Sequence, residues 1–115
     1  MKPEGHLEKA AAFENRAQYW DSDRDAPSVI EDIFDAAVHY IAYGINIKFG
    51  RDLDSHAVQK RFLRDNLEHD IYDTFQEIEY LRISSVYGGG WNGDRIKKAL
   101  KSLSVIKKWI GKPDK

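Results

Sequence analysis

Apolar residues recur at every third or fourth position along most of this 115-residue chain. That spacing is the period of an amphipathic α-helix, and no run shows the alternation of apolar and polar residues that marks a strand. The pattern predicts helical segments over about 6–20, 27–49, 56–66 and 71–87, and a last one that restarts near 92 and ends near 110. Because the connectors are short, we expect antiparallel neighbours and an all-α fold, an up-and-down bundle of four to five helices.

The second segment, residues 27–49, is apolar on most of its sides rather than along one stripe. Pro27 suits the first turn of a helix, where its missing N–H would have no partner, and Gly50 suits the residue that ends one. A helix this apolar is buried by several neighbours or lies at a subunit interface. We therefore expect a homodimer, with this helix or the fourth at its interface.

Composition fits a single domain over residues 1–115, with a core from about residue 6 to residue 111. Hydrophobic residues make up 42% of the chain and charged residues 32%, enough to fill one core and cover its surface. No stretch has the length of uncharged apolar residues that a membrane span needs, and the start lacks the apolar centre of a signal peptide. The sequence thus predicts a cytoplasmic protein with no membrane partner.

Charge is distributed unevenly along the chain. Residues 1–60 hold 7 basic and 11 acidic side chains, whereas residues 61–115 hold 11 basic and 8 acidic. Such asymmetry could serve a nucleic-acid partner, although solvated helix faces produce the same pattern. The absence of cysteine excludes disulfides and thiolate sites, and no helix carries two histidines at metal-ligand spacing. No metal and no cofactor are therefore expected.

The most informative stretch is the end of the fourth segment, where Arg82 precedes Tyr87 by five residues and a glycine triplet, residues 88–90, follows. Two earlier stretches accompany it: the run Phe34-Asp35-Ala36-Ala37-Val38-His39-Tyr40, and the helix-starting Asp54-Ser55-His56. Together they resemble the HEPN domain, the "higher eukaryotes and prokaryotes nucleotide-binding" helical bundle, particularly its small stand-alone prokaryotic branch. The resemblance covers most of the chain, from about residue 7 to residue 110.

The resemblance implies a four- or five-helix bundle that forms a two-fold homodimer and, in many members, acts as a metal-independent RNase. Other members bind nucleotides, accompany a small nucleotidyltransferase, or serve as non-catalytic components of toxin systems. The RNase members carry an arginine followed, after four to six residues, by a histidine. Arg82 matches that arginine, but Tyr87, Gly88 and Gly89 occupy the positions at which the histidine would stand.

Elementary chemistry makes Arg82 and Tyr87 a poor catalytic pair on their own. Cleavage of RNA without a metal requires a base for the 2′-hydroxyl proton and a cation for the phosphate, roles that suit histidine and arginine. Tyrosine, with a reference pKa of about 10, is a poor base at neutral pH. Residues five apart also lie roughly 140° apart around a helix, so the pair would have to meet across a two-fold interface. The alternative role for Arg82 is an ion pair with Glu79, one helical turn back.

Each remaining candidate residue has a functional and a structural interpretation. Tyr80 could stack on a base or bind phosphate, or it could be a core anchor with a wet hydroxyl. His39 and His56 could supply the missing base from other helices, or they could belong to the core and to the start of a helix. Ser84 could contact RNA, although a small residue at a helix–helix contact is the simpler interpretation.

We therefore expect a HEPN-like module, non-catalytic or degenerate, that handles RNA or nucleotide and could pair with a minimal nucleotidyltransferase in a toxin–antitoxin-like system. The first alternative is an active metal-independent endoribonuclease that uses Arg82 with Tyr87, His39 or His56. The second alternative is a purely structural protein-interaction module. Cleavage of RNA and binding of RNA distinguish the three.

Overall fold

The computed structural model describes residues 2–20, 25–87 and 92–111, and of residues 84–87, 92 and 93 only the backbone. Its helices are α1 (Pro3–Ala17), α2 (Ala26–Phe49), α3 (His56–Asp65), α4 (His69–Tyr87) and α5 (Asn92–Ile110). The described ranges contain no strand, and the predicted all-α bundle is confirmed. Among the described residues, no helix is long and apolar enough to cross a bilayer.

Local signals in the sequence set most of the helix ends. α1 begins at Pro3, earlier than predicted, because proline is compatible with the first helical turn. Gly50 has a left-handed φ of 72°, and its N–H donates to Asn46, as predicted for the residue that ends α2. Ser55 precedes α3 as predicted, but its side chain makes no capping hydrogen bond.

α1 ends at Ala17, three residues before the predicted end, and the chain then turns back toward α2. Trp20 Nε1 donates a hydrogen bond of 2.8 Å to Asp32. Arg16, in the last turn of α1, approaches the same carboxylate at 2.8 Å. Because Asp32 is buried on α2, its charge requires these partners, and they attach the end of α1 to α2.

α2 is the central helix of the bundle and packs against each of the other four. It meets the buried faces of its neighbours in one core, whose largest fully buried apolar members are Ile30, Ile33, Ile41, Ile45, Leu63, Phe75, Ile78, Leu103 and Ile106. The apolar character of α2 is therefore explained within a single chain. It no longer argues for a subunit interface, and the homodimer stays a prediction.

α5 docks on α2 at Gly44, where the absence of a side chain makes room for the ring of Trp109. A Cβ added at Gly44 would overlap that ring and lie 2.8 Å from the side chain of Ile110. Trp109 is buried, and its indole N–H donates to Glu68 at 3.2 Å. The ring therefore cannot move aside without losing packing and a hydrogen bond, and the close approach of the two helices depends on the glycine.

α3 and α4 are joined by a tight turn at Leu67, whose φ of 61° lies in the left-handed region. The N–H of Glu68 donates to the carbonyl of Leu63 at 2.8 Å across this turn, a pattern that commonly ends helices at glycine. Leu67 is 76% exposed, so burial does not compensate for its strained backbone. The polar break after α3 is therefore a complete helix boundary and not a kink.

We expect Gly44→Ala to destabilise the protein, although alanine is the better helix former, because the added methyl group collides with Trp109. Overpacking of this kind costs about 1–3 kcal/mol. Guanidinium unfolding followed by circular dichroism measures the change. Gly111→Ala is the matched control, since its Cβ would meet only backbone oxygens at 3.7 Å. A free energy of unfolding for Gly44→Ala equal to that of the wild type would contradict the packing described.

We expect Leu67→Gly to stabilise the protein by roughly 0.5–1 kcal/mol, because relief of left-handed strain exceeds the entropy that glycine adds to the unfolded chain. Leu67→Ala is the control, since it removes the same exposed side chain but keeps the strain. Urea midpoints of the two variants measure the difference. If Leu67→Gly were no more stable than Leu67→Ala, the turn would not be strained.

Candidate functional site

Arg82 and His56, which belong to different helices, meet at one aromatic ring. The guanidinium of Arg82 lies 4.5 Å from the centroid of the Phe34 ring. The ring of His56 lies edge-on to the same ring, with centroids 5.4 Å apart. Phe34 is buried on α2 and therefore fixes the two side chains near each other. Of the two histidines predicted as substitutes for the motif histidine, His56 is the one that the fold brings to Arg82.

Carboxylates orient both of these side chains. Arg82 Nε donates to Glu31 Oε1 at 2.7 Å, and His56 Nε2 lies 3.5 Å from Glu79 Oε2. Lys60 Nζ approaches the other oxygen of Glu79 at 2.6 Å. The structure therefore pairs Arg82 with Glu31, whereas the sequence offered Glu79 as the alternative partner. Glu79 lies close to His56 and Lys60 of α3, whereas Arg82 contacts Glu31 of α2.

Asp35 adds a third carboxyl near this group. Its pKa is raised, first because the side chain is half-buried and then because Glu31 and Asp32 repel its negative charge. Arg82 and Arg16 partly offset that effect. A carboxyl whose pKa is raised beside an arginine is a candidate proton donor or acceptor. The sequence contained no local signal for it.

A cleft of about 300 Å³ opens between α3 and α4, and we call it the α3–α4 cleft. It is lined by His56, Ala57, Lys60, Arg61, Arg64, Tyr72 and Glu79. His56, Lys60 and Arg64 recur every four residues, so α3 presents them on one face. Glu79 is the one carboxylate in this lining, against one lysine and two arginines. The α3–α4 cleft therefore has a net positive charge.

Of the residues in this lining, only His56 was predicted from the sequence. The four-residue spacing of His56, Lys60 and Arg64 is a signal that could have indicated a cationic helix face. No local signal indicates that Phe34 and Glu79 meet His56, since these residues come together only when α2, α3 and α4 pack.

Three further predicted residues, Tyr80, Ser84 and Tyr87, lie on α4 with Arg82. Tyr80 is 65% exposed, so it is not a core anchor. Ser84 and Tyr87 belong to α4, but their side chains lie outside the described residues, as does the glycine triplet at 88–90. The pairing of Arg82 with Tyr87 in catalysis and a contact between Ser84 and RNA therefore stay predictions.

His39 lies in a separate contact between α1 and α2. Its Nδ1 is 2.9 Å from Nδ1 of His6, which is completely buried. The ring of Phe13 stacks on the ring of His39, with centroids 5.8 Å apart. The other nitrogen of His6, Nε2, lies 3.6 Å from Asp52. The structure thus joins His39 to His6, whereas His56 is the histidine beside Phe34 and Arg82.

The hydrogen bond between the two histidines requires a particular arrangement of protons. One of the two facing nitrogens must carry a proton and the other must not, and the carboxylate of Asp52 favours His6 with its proton on Nε2. The pKa of His39 is lowered, first by burial and then by the charges of His6 and Lys9, while Asp54 raises it. The folded protein therefore resists protonation of His39.

Comparison of the chain with protein-family models, with curated proteins and with solved structures gave no match. Among the described residues, no group of three histidine, aspartate or glutamate side chains could hold a metal ion. The fold and the site together define an all-α bundle with a cationic cleft next to a histidine–glutamate pair and an arginine.

We expect the protein to lose stability as the pH falls through about 6.5, the ordinary pKa of histidine. The unfolded chain takes up the His39 proton more readily than the folded protein, so acid favours unfolding, and the full stability is present above that pH. Thermal melts between about pH 7.5 and pH 5 measure this loss. His39→Gln should reduce the pH dependence, whereas His69→Gln, at an exposed position, should not. Identical pH dependences in wild type and His39→Gln would contradict this account.

Proposed function

We propose that this chain is a HEPN-like module whose α3–α4 cleft binds the phosphates of RNA or of a nucleotide. The observation that carries the proposal is the charge of that cleft, in which Lys60, Arg61 and Arg64 face one carboxylate. Arginine and lysine at the mouth of a cleft are the side chains that bind phosphate oxygens. The resemblance of the sequence to the HEPN domain favours the same class of ligand.

Arg61 and Arg64 supply the accessible charge. Both are exposed, and Arg61 forms no ion pair with a carboxylate of the described residues. Arg64 pairs with its neighbour Asp65 at 3.4 Å on the surface, a contact that a phosphate can replace at small cost. Lys60 is instead held by Glu79, which keeps one positive group at a defined position in the cleft.

A metal-independent RNase is the second candidate function, and the pair of His56 and Glu79 favours it. A neutral His56 with its proton on Nε2, which lies 3.5 Å from Glu79 Oε2, would have Nδ1 as the base. Nδ1 would take the 2′-hydroxyl proton, the 2′-oxygen would attack the phosphorus, and the 5′-oxygen would leave with a proton from solvent. Arg82 or Lys60 would stabilise the charge that develops on the phosphate.

On the basis of the resemblance, we also propose that the chain forms a two-fold homodimer and that it pairs with a small nucleotidyltransferase in a toxin–antitoxin-like system. Tyr80 and Ile83 are 65% and 51% exposed and give α4 an apolar outer surface beside Arg82. A second copy of the chain that covered this surface would bring two sites together.

We expect the purified protein to bind a pool of labelled RNAs in EDTA, measured by fluorescence anisotropy. Removal of two charges in Arg61→Ala/Arg64→Ala should weaken binding roughly tenfold. Lys98→Ala/Lys101→Ala removes the same charge from the exposed face of α5 and is the matched control, with a smaller expected effect. Equal losses in the two double variants would contradict a site in the α3–α4 cleft.

Gel analysis of the same mixtures decides between the two candidate functions. Intact RNA supports a binding module, whereas cleavage that disappears in both His56→Gln and Arg82→Ala supports the RNase. Cleavage that persists in His56→Gln would exclude His56 as the base. Failure to bind either RNA or nucleotide would contradict the proposed function and favour a protein-interaction module.

A further inference from the structure

We propose that α3 is a ridge that binds single-stranded RNA across two clefts, with phosphates in the α3–α4 cleft and a base against Phe62 in a second cleft. The inference rests on the proposed function and narrows its ligand to an unpaired strand. We call the second site the Phe62 cleft. It has a volume of about 340 Å³ and is lined by Arg51, Leu53, Val58, Arg61, Phe62, Asp65 and Asn66.

Arg61 connects the two sites, because it lines both the α3–α4 cleft and the Phe62 cleft. The clefts are therefore neighbours on either side of α3, a helix of 10 residues and so about 15 Å long. One extended ligand can contact Arg61 and enter both clefts. A small phosphate compound would occupy only one of them.

α3 projects from the bundle because little of it is buried. Of its 10 residues, only Gln59 and Leu63 are buried. Gln59 Nε2 donates to the backbone carbonyls of Val38 and Leu53 at 3.1 and 2.8 Å, which attaches this side of α3 to α2 and to the segment before α3. The other side chains of the helix are left to line the clefts or to face solvent.

The ring of Phe62 lines the second cleft and is partly buried against the core. Its other contacts include Phe49, which meets it edge-to-face with centroids 5.0 Å apart. The guanidinium of the exposed Arg51 lies over the ring, 5.6 Å from its centroid. A planar group from the surface, the guanidinium of Arg51, thus already lies against one face of the Phe62 ring. A nucleobase can replace it by stacking, and Arg51 is then beside the strand to contact a phosphate.

The combination of cations and an accessible aromatic face selects an unpaired strand. In a duplex the bases are stacked and paired, whereas a single strand can turn a base away from its backbone onto an aromatic side chain. Charge alone would favour the duplex, which carries phosphates at higher density. An acidic peptide would be attracted by the same arginines but has no base for Phe62.

The experiment compares three RNAs of equal length by anisotropy: an unpaired strand, the same strand annealed to its complement, and a strand without bases. We expect the wild type to bind the unpaired strand more tightly than the other two. Phe62→Leu should weaken binding of the unpaired strand roughly 5- to 100-fold and change binding of the baseless strand by less than about twofold. Phe62→Tyr keeps the ring and should retain the affinity for the unpaired strand.

Several results would overturn the inference. They are equal affinity of the wild type for all three RNAs, unchanged affinity in Phe62→Leu, or competition by a polyglutamate peptide as strong as that by the unpaired strand. In the first two cases, binding of the baseless strand would leave the proposed function intact. Binding of none of the three RNAs would contradict the inference, and failure to bind a nucleotide as well would contradict the proposed function. Since Phe62 also packs against the core, circular dichroism of Phe62→Leu checks its fold, and the wild-type comparison tests the inference without any variant.

Discussion

The packing of the other four helices around α2 is the constraint on which the rest of the structure depends. A helix with so few polar residues requires four neighbours to cover it, and its polar groups must find partners on them. Asp32 accepts a hydrogen bond from Trp20, and the hydroxyl of Tyr40 donates to Glu14 of α1 at 2.7 Å. Burial and Glu14 raise the pKa of Tyr40, which keeps that hydroxyl a donor. Lys107 of α5 approaches Glu14 at 3.0 Å and brings a third helix into the contact.

The candidate site is a consequence of the same arrangement. Because α2 is central, its buried Phe34 contacts side chains from both α3 and α4, and His56 and Arg82 are placed by one ring. Each is also held by a carboxylate of another helix, Glu79 for His56 and Glu31 for Arg82. Preorganisation of this kind is what a site that binds or cleaves a phosphodiester requires, since the groups need not be ordered when the ligand arrives.

α3 differs from the other helices in ways that bear on function. Apart from Arg82 of α4, the described basic residues from residue 61 onward belong to α3 or to the lysine-rich α5. The basic residues of α3 line clefts together with aromatic rings, Tyr72 in one and Phe62 in the other. The cleft beside Lys107 and Lys108 of α5, by contrast, has no aromatic residue among the described residues of its lining. Charge without concave shape attracts polyanions weakly and without selection, whereas charge beside an aromatic wall can select a nucleotide. Both of the clefts that we propose to bind RNA are therefore lined by residues of α3.

The sequence by itself determined the helices to within a few residues at each end, because these follow from the spacing of apolar residues along the chain and from residues such as Pro27 and Gly50 that act within one turn. It indicated a break between residues 66 and 71 but not the left-handed backbone of Leu67, since a leucine carries no local preference for that conformation and adopts it here only because α3 and α4 must be joined there. The partner of Arg82, the meeting of that arginine with His56, and the clefts beside α3 were decided by tertiary structure alone. They depend on which helix faces pack together, and hence on contacts between residues far apart in the chain, which no local pattern contains.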